Sequence, residues 1–132
     1  MPTMPSQQRQ ARLAALQRID DFLLDLHHQS LQLDNEQSTK TLEFEQEQQK
    51  RQERIAYLRA ARPFWERTSQ KGPNDESNEE MLKATDAEIS QLEREEEEHR
   101  HAMAKYYSTV KVKKEHLLNA TEAAMNKRRT LE

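Results

Sequence analysis

Glu96 and His99 stand one helical turn apart, and Glu98 and His101 repeat that spacing two residues later. A Glu-x-x-His pair sets a carboxylate and an imidazole on one side of a helix. In di-metal bundles two such pairs, with a glutamate from each of two further helices, enclose two ions. The first half of the chain holds no Glu-x-x-His. Its nearest equivalent, Asp25 to His28, falls far from the level of Glu96 on a folded-back arm, and only Glu45 and Glu47 approach that level. No metal and no cofactor is therefore expected. Glu96 with His99 reads instead as a polar layer that sets register, as a buried polar residue does in other coiled coils. His27 and His28 are adjacent, so they point about 100° apart around a helix and share an ion poorly. His116 stands alone.

Other reaction chemistries lack their parts. Cysteine is absent, which removes disulfides, thiolate catalysis and Cys-ligated zinc. One glycine cannot build a phosphate loop, and no Ser/His/Asp grouping can be assembled, so no enzymatic activity is expected. Glu93 and Glu95 to Glu98 read as a solvated acidic face, because calcium would need a loop to wrap it. The basic segments Lys111 to Lys114 and Lys127 to Arg129 could meet phosphates or acidic protein tails. Stacking aromatics are not interleaved with them apart from Tyr106 and Tyr107, so nucleic acid is the lesser expectation and pairing with acids on neighbouring helices the greater.

The element that must carry all of these residues is a long helix. Apolar residues return every seventh position at Leu82, Ile89, Met103, Val110, Leu117, Ala124 and Leu131, broken only by Glu96. A second row, Thr85, Leu92, His99, Tyr106, Lys113, Ala120 and Lys127, alternates apolar with polar. This is the a/d seam of a coiled coil.

Composition agrees. One Gly and four Pro in 132 residues leave little to punctuate strands and turns. With 34% charged and 33% apolar residues, the chain cannot bury a thick globular core, and long helices sharing a thin seam suit it. The net charge of -3 hides a segregation: the second arm is acidic from Glu76 to Glu98 and basic from Arg100 to Arg129, which complements its helix dipole. The first residues are polar with no apolar signal region, and no run is long enough to span a bilayer. The expectation is a protein of the cytoplasm or nucleus, away from membranes.

A first long helix is expected over residues 6–62, capped by Ser6 after a disordered stretch 1–5 and stopped by Pro63. A second is expected over 77–129, after the turn signal Gly72-Pro73-Asn74-Asp75, with Ser77 and Glu80 as a capping box and a frayed end at 130–132. Arms of nearly equal length joined by a connection over 63–76 imply an antiparallel hairpin. Folding about position 70 pairs Leu58 with Leu82, Leu33 with Tyr106, Leu23 with Leu117 and Leu16 with Ala124. On the first arm, strict heptads make the middle of the seam polar, at Gln37, Lys40, Glu47, Arg51 and Arg54.

Leu13, Phe22, Leu24 and Leu31 on the first arm, and Tyr107, Leu118 and Met125 on the second, lie off this seam. A helix apolar over more than one stripe has more than one neighbour, so these residues are the expected partner-binding set. Phe64 and Trp65, beside Pro63, either plug the tip by folding onto Met81 and Leu82 or anchor a partner, and the plug is the favoured reading. The fold class is thus all-α, a hairpin of two long helices completed into a larger bundle by self-association or by partner helices.

Such paired arms resemble, in architecture only, prefoldin subunits and small coiled-coil components of kinetochore, ciliary or vesicle-tethering complexes. The connection lacks the alternating strands that prefoldin inserts, and the likeness carries no residues across. The functional expectation is a structural or scaffold subunit of a multiprotein assembly, cytoskeletal, ciliary or chromosomal. The alternative is a binding module whose basic end docks on nucleic acid or acidic protein tails.

Overall fold

The computed structural model describes the backbone of residues 3–69 and 75–132, and the side chains of residues 6–67 and 78–132. Helix α1 spans Thr3–Ser69 and helix α2 spans Asp75–Leu131, packed antiparallel as a hairpin, with no strand among the described residues. The expected turn over residues 72–74 and the side chain of Ser77 lie outside the described residues.

The helices are longer than expected at all four ends. α2 begins at Asp75 rather than 77, so Ser77 is within its first turn and not its cap. α1 does not stop before Pro63 but continues to Ser69, so Phe64 and Trp65 are helical and not part of a connection. Proline there removes one backbone hydrogen bond. The side chains around it offset the loss: Arg62 donates to both oxygens of Asp86 on α2, at 2.7 and 3.3 Å, and pairs at 3.2 Å with Glu66 on the next turn. At the other end Thr3 to Pro5, expected to be disordered, are helical, because a proline in the first turn forfeits a bond that turn does not make. α2 runs to Leu131, and the Glu132 N–H still donates to the Arg128 carbonyl at 3.1 Å, where fraying was expected from 130.

Contacts divide the hairpin into a terminal unit, Met1–Thr39 with Tyr107–Glu132, and a central unit, Lys40–Tyr106. Ile19, Leu26, Leu33, Val110 and Ala124 are buried in the terminal unit, and Ile55 and Leu58 in the central one. The Thr85 hydroxyl, also buried, donates to the Met81 carbonyl at 2.7 Å and so needs no partner across the seam.

On α2 the two heptad rows face inward as the spacing predicts, from Leu82 through Val110. Further on, Lys113 and Lys127 are exposed where the second row placed them inside, and Thr121 and Arg128 turn partly inward. In the central unit α1 departs further. Lys40, Glu47 and Arg54 are exposed, and Thr41, Gln48 and Ile55, each one residue later, take the inward places beside Phe44, Arg51 and Leu58. That corresponds to a roll of about 50° about the helix axis. Its cause is the cost of burying charge: the roll exchanges Lys, Glu and Arg for Thr, Gln and Ile. The seam is less polar than strict heptads imply.

The pairing register also moves. Asp34 meets Lys114 and Asp20 meets Arg128 in the terminal unit, and Arg62 meets Asp86 in the central unit. Each pair of numbers sums to 148 rather than 140. Leu33 is therefore level with residues near 115, not with Tyr106, and Leu58 with residues near 90, not with Leu82. The shift accompanies the extension of α1 past Pro63 to Ser69. Because the shift is close to one heptad, the apolar rows still face each other.

Candidate functional site

Two features stand out from the seam. The first is a polar layer in the central unit, on the residues whose spacing suggested chemistry. The Arg51 guanidinium donates to Glu96 Oε2 at 2.8 Å, and Gln48 donates to Glu96 Oε1 at 3.2 Å. The same Arg51 nitrogen lies 3.2 Å from His99 Nδ1. A guanidinium has only donors, so Nδ1 accepts and the ring proton sits on Nε2, which faces Glu47 Oε2 at 3.4 Å. The His99 ring packs against Phe44, with centroids 4.9 Å apart, and Phe44 packs edge-on to Tyr106 at 6.1 Å.

The side chains of Arg51 and Glu96 are only 11% and 16% exposed. The hydrogen bond from Arg51 holds the Glu96 carboxyl below the usual carboxylate range, with Gln48 assisting against the opposing effect of burial. Glu96 and His99 do come together, but a protein cation stands between them. Among the described residues no group of three or more His, Cys, Asp or Glu gathers as metal ligands would. Glu98 and His101 are exposed, and His101 pairs with Glu97 at 3.2 Å.

Around this layer the arms are laced by charge. Arg54 donates twice to Glu88, at 2.8 and 3.1 Å, and Arg59 donates to Glu93 at 2.7 Å, so in the central unit arginines on α1 meet acids on α2. In the terminal unit the polarity reverses, with acids on α1 meeting Lys114 and Arg128 on α2. The segregation along α2 is thus matched by an opposite one along α1. The sequence reading related it only to the helix dipole.

The second feature is the set of apolar side chains off the seam. Leu13, Phe22, Leu24, Leu31, Leu118 and Met125 are exposed, and Tyr107 is half-buried. They do not form one patch. Phe22 stands about 200° around α1 from Leu24, whereas Leu13, Leu24 and Leu31 share one line because eighteen residues make five turns. Phe64 is exposed and Trp65 half-buried, in edge contact with centroids 5.1 Å apart. Trp65 continues the inward series from Leu58 and Arg62. Leu42, Tyr57 and Val112 are further exposed apolar residues that the sequence reading did not single out. Leu42 and Val112 sit on lines of the helices remote from the heptad rows, and Tyr57 stands singly beside the row of Arg54 and Ala61, so no periodic signal marked them.

No helix among the described residues is long and apolar enough to cross a membrane. No family model matches the chain, and comparison with curated proteins and with solved structures gave no significant match.

Proposed function

We propose that this chain is a non-enzymatic structural subunit, a helical hairpin whose terminal unit packs against further helices in a protein assembly. The observation that carries this reading is the alignment of exposed leucines in that unit. Single exposed apolar residues are ordinary, but a row on one face of a helix that already buries another face signals a second neighbour. The thin seam supports it too, since no described side chain is fully buried and two helices alone do little to offset the entropy of ordering.

The basic stretches lend less to a docking role on polyanions. Lys114 is engaged by Asp34 and Gln37, and Arg128 by Asp20 and Glu132. The test is sedimentation with circular dichroism over a dilution series. The expected result is a species heavier than the 15.7 kDa chain at micromolar concentration, with mass and helicity falling together on dilution. A fully helical monomer throughout the series would overturn the reading.

A further inference from the structure

We propose that a second copy of this chain covers the leucine-bearing face of the terminal unit, forming a two-fold four-helix layer. This rests on the assembly reading above and names its partner. Two ion pairs bracket the face: Asp20 with Arg128 at 2.8 Å, and Asp34 with Lys114 at 3.2 Å. On either helix the bracketing residues are fourteen apart, close to four turns, so both bridges lie on one side of the hairpin.

Between them stand four apolar residues at helical-neighbour spacing from the bridges. Leu24 lies four after Asp20 and Leu31 three before Asp34, while Met125 lies three before Arg128 and Leu118 four after Lys114. The bridges set the levels, so Leu24 is beside Met125 and Leu31 beside Leu118. These are two apolar layers about 10 Å apart along the helices. The four side chains are 55%, 48%, 44% and 58% exposed for Leu24, Leu31, Met125 and Leu118. An apolar centre inside a charged border is the layout of a protein interface.

Three arguments select a second copy over a foreign helix. Each layer takes one residue from each helix, so two stripes must be covered, and one added helix would cover a single line. A copy turned by two-fold rotation about an axis along the helices sets its α1 over this α2, antiparallel and level. Leu24 then meets the partner copy's Met125, and Leu31 its Leu118, in the self-complementary contact that closed dimers use.

The charges agree. Residues 6–39 hold three basic against five acidic side chains, and residues 107–132 hold six basic against three acidic, so α1 over α2 opposes unlike charge. The area suffices. From residue 17, level with the end of α2, to Asp34 the face is about 26 Å long and about 20 Å wide, so two copies would bury about 1,000 Å², at the lower limit for specific association.

The experiment uses the full chain, which has no cysteine of its own. Sedimentation should give a dimer with a micromolar dissociation constant. Leu24→Asp with Leu118→Asp should weaken it by at least about 100-fold, since each places a charge in an apolar layer, whereas Val112→Asp, elsewhere on α2, should not. Mixing a Leu24→Cys chain with a separately prepared Met125→Cys chain under mild oxidation should yield the mixed disulfide in preference to either homodimer. This cross-linking uses near-native side chains and stands even if the aspartate variant unfolds.

An oligomer whose mass is unchanged in the aspartate variant, with no mixed disulfide, would overturn this interface and leave the assembly reading standing. A folded monomer at tens of micromolar would overturn both.

Discussion

Removing Glu96 tests whether the polar layer is the buried pair that the geometry describes. Glu96→Ala deletes the acceptor of two hydrogen bonds, at 2.8 Å from Arg51 and 3.2 Å from Gln48, and leaves an 11%-exposed guanidinium with His99 as its remaining partner. A hydrogen bond to a charged group contributes about 1.5–3 kcal/mol, and stranding a fully buried charge costs about 3–5 kcal/mol. With water still reaching the edge of this layer, the expected loss is about 2–3 kcal/mol. Replacing both charges by leucine, as Arg51→Leu with Glu96→Leu, removes the desolvation cost along with the attraction, so stability should return to the wild-type level or rise by about 1–2 kcal/mol. The assay is urea unfolding followed by helical circular dichroism at neutral pH, with protein concentration held fixed because stability and association are linked. Together with the single leucine variants it completes a double-mutant cycle. A loss under about 0.5 kcal/mol in Glu96→Ala, or effects that add within about 0.5 kcal/mol, would show that Arg51 and Glu96 are solvated and uncoupled, and the argument would fail.

A zero-length carbodiimide should join Lys114 to Asp34 within one chain, since their charged atoms lie 3.2 Å apart. A Lys114 to Asp25 product, or products only between differently labelled chains, would refute the register. Ile55→Ala should cost about 2–4 kcal/mol by urea unfolding, whereas Arg54→Ala should cost clearly less, and the reverse order would show that α1 is not rolled. Acid should destabilise the hairpin through Glu88 and Glu96, whose carboxyls are held low by hydrogen bonds from Arg54 and Arg51. A lowered folded-state value means the unfolded chain binds protons first. That stability is full above about pH 4.3 and is lost as the pH falls through the folded value. Glu96→Gln should flatten the decline of the urea midpoint below that pH, and an equally steep decline in the variant would count against the pairing.

The heptad rows of the second arm, the near absence of glycine and the high charge determined by themselves that this chain forms two long helices lying against each other. Period and composition are local properties, so Leu82 through Val110 face inward as their spacing requires. The pairing of Glu96 with His99 as a polar layer was legible for the same reason, both being seam positions one turn apart. The Arg51 between them was not assignable, because its place depends on the register of the other arm. Tertiary structure decided that register, and with it the roll of α1. A heptad repeat is indifferent to a slip of seven residues, so the apolar rows could not choose between pairing Leu33 with Tyr106 and pairing it with residues near 115. The choice came from interactions between positions far apart in sequence: Arg62 with Asp86, Asp34 with Lys114 and Asp20 with Arg128, and a helix continued through Pro63 because its neighbours are held across the seam. The charge reversal along α2 was visible in the sequence. Only the fold-back showed that α1 carries its complement, which makes the antiparallel arrangement the one in which unlike charges meet.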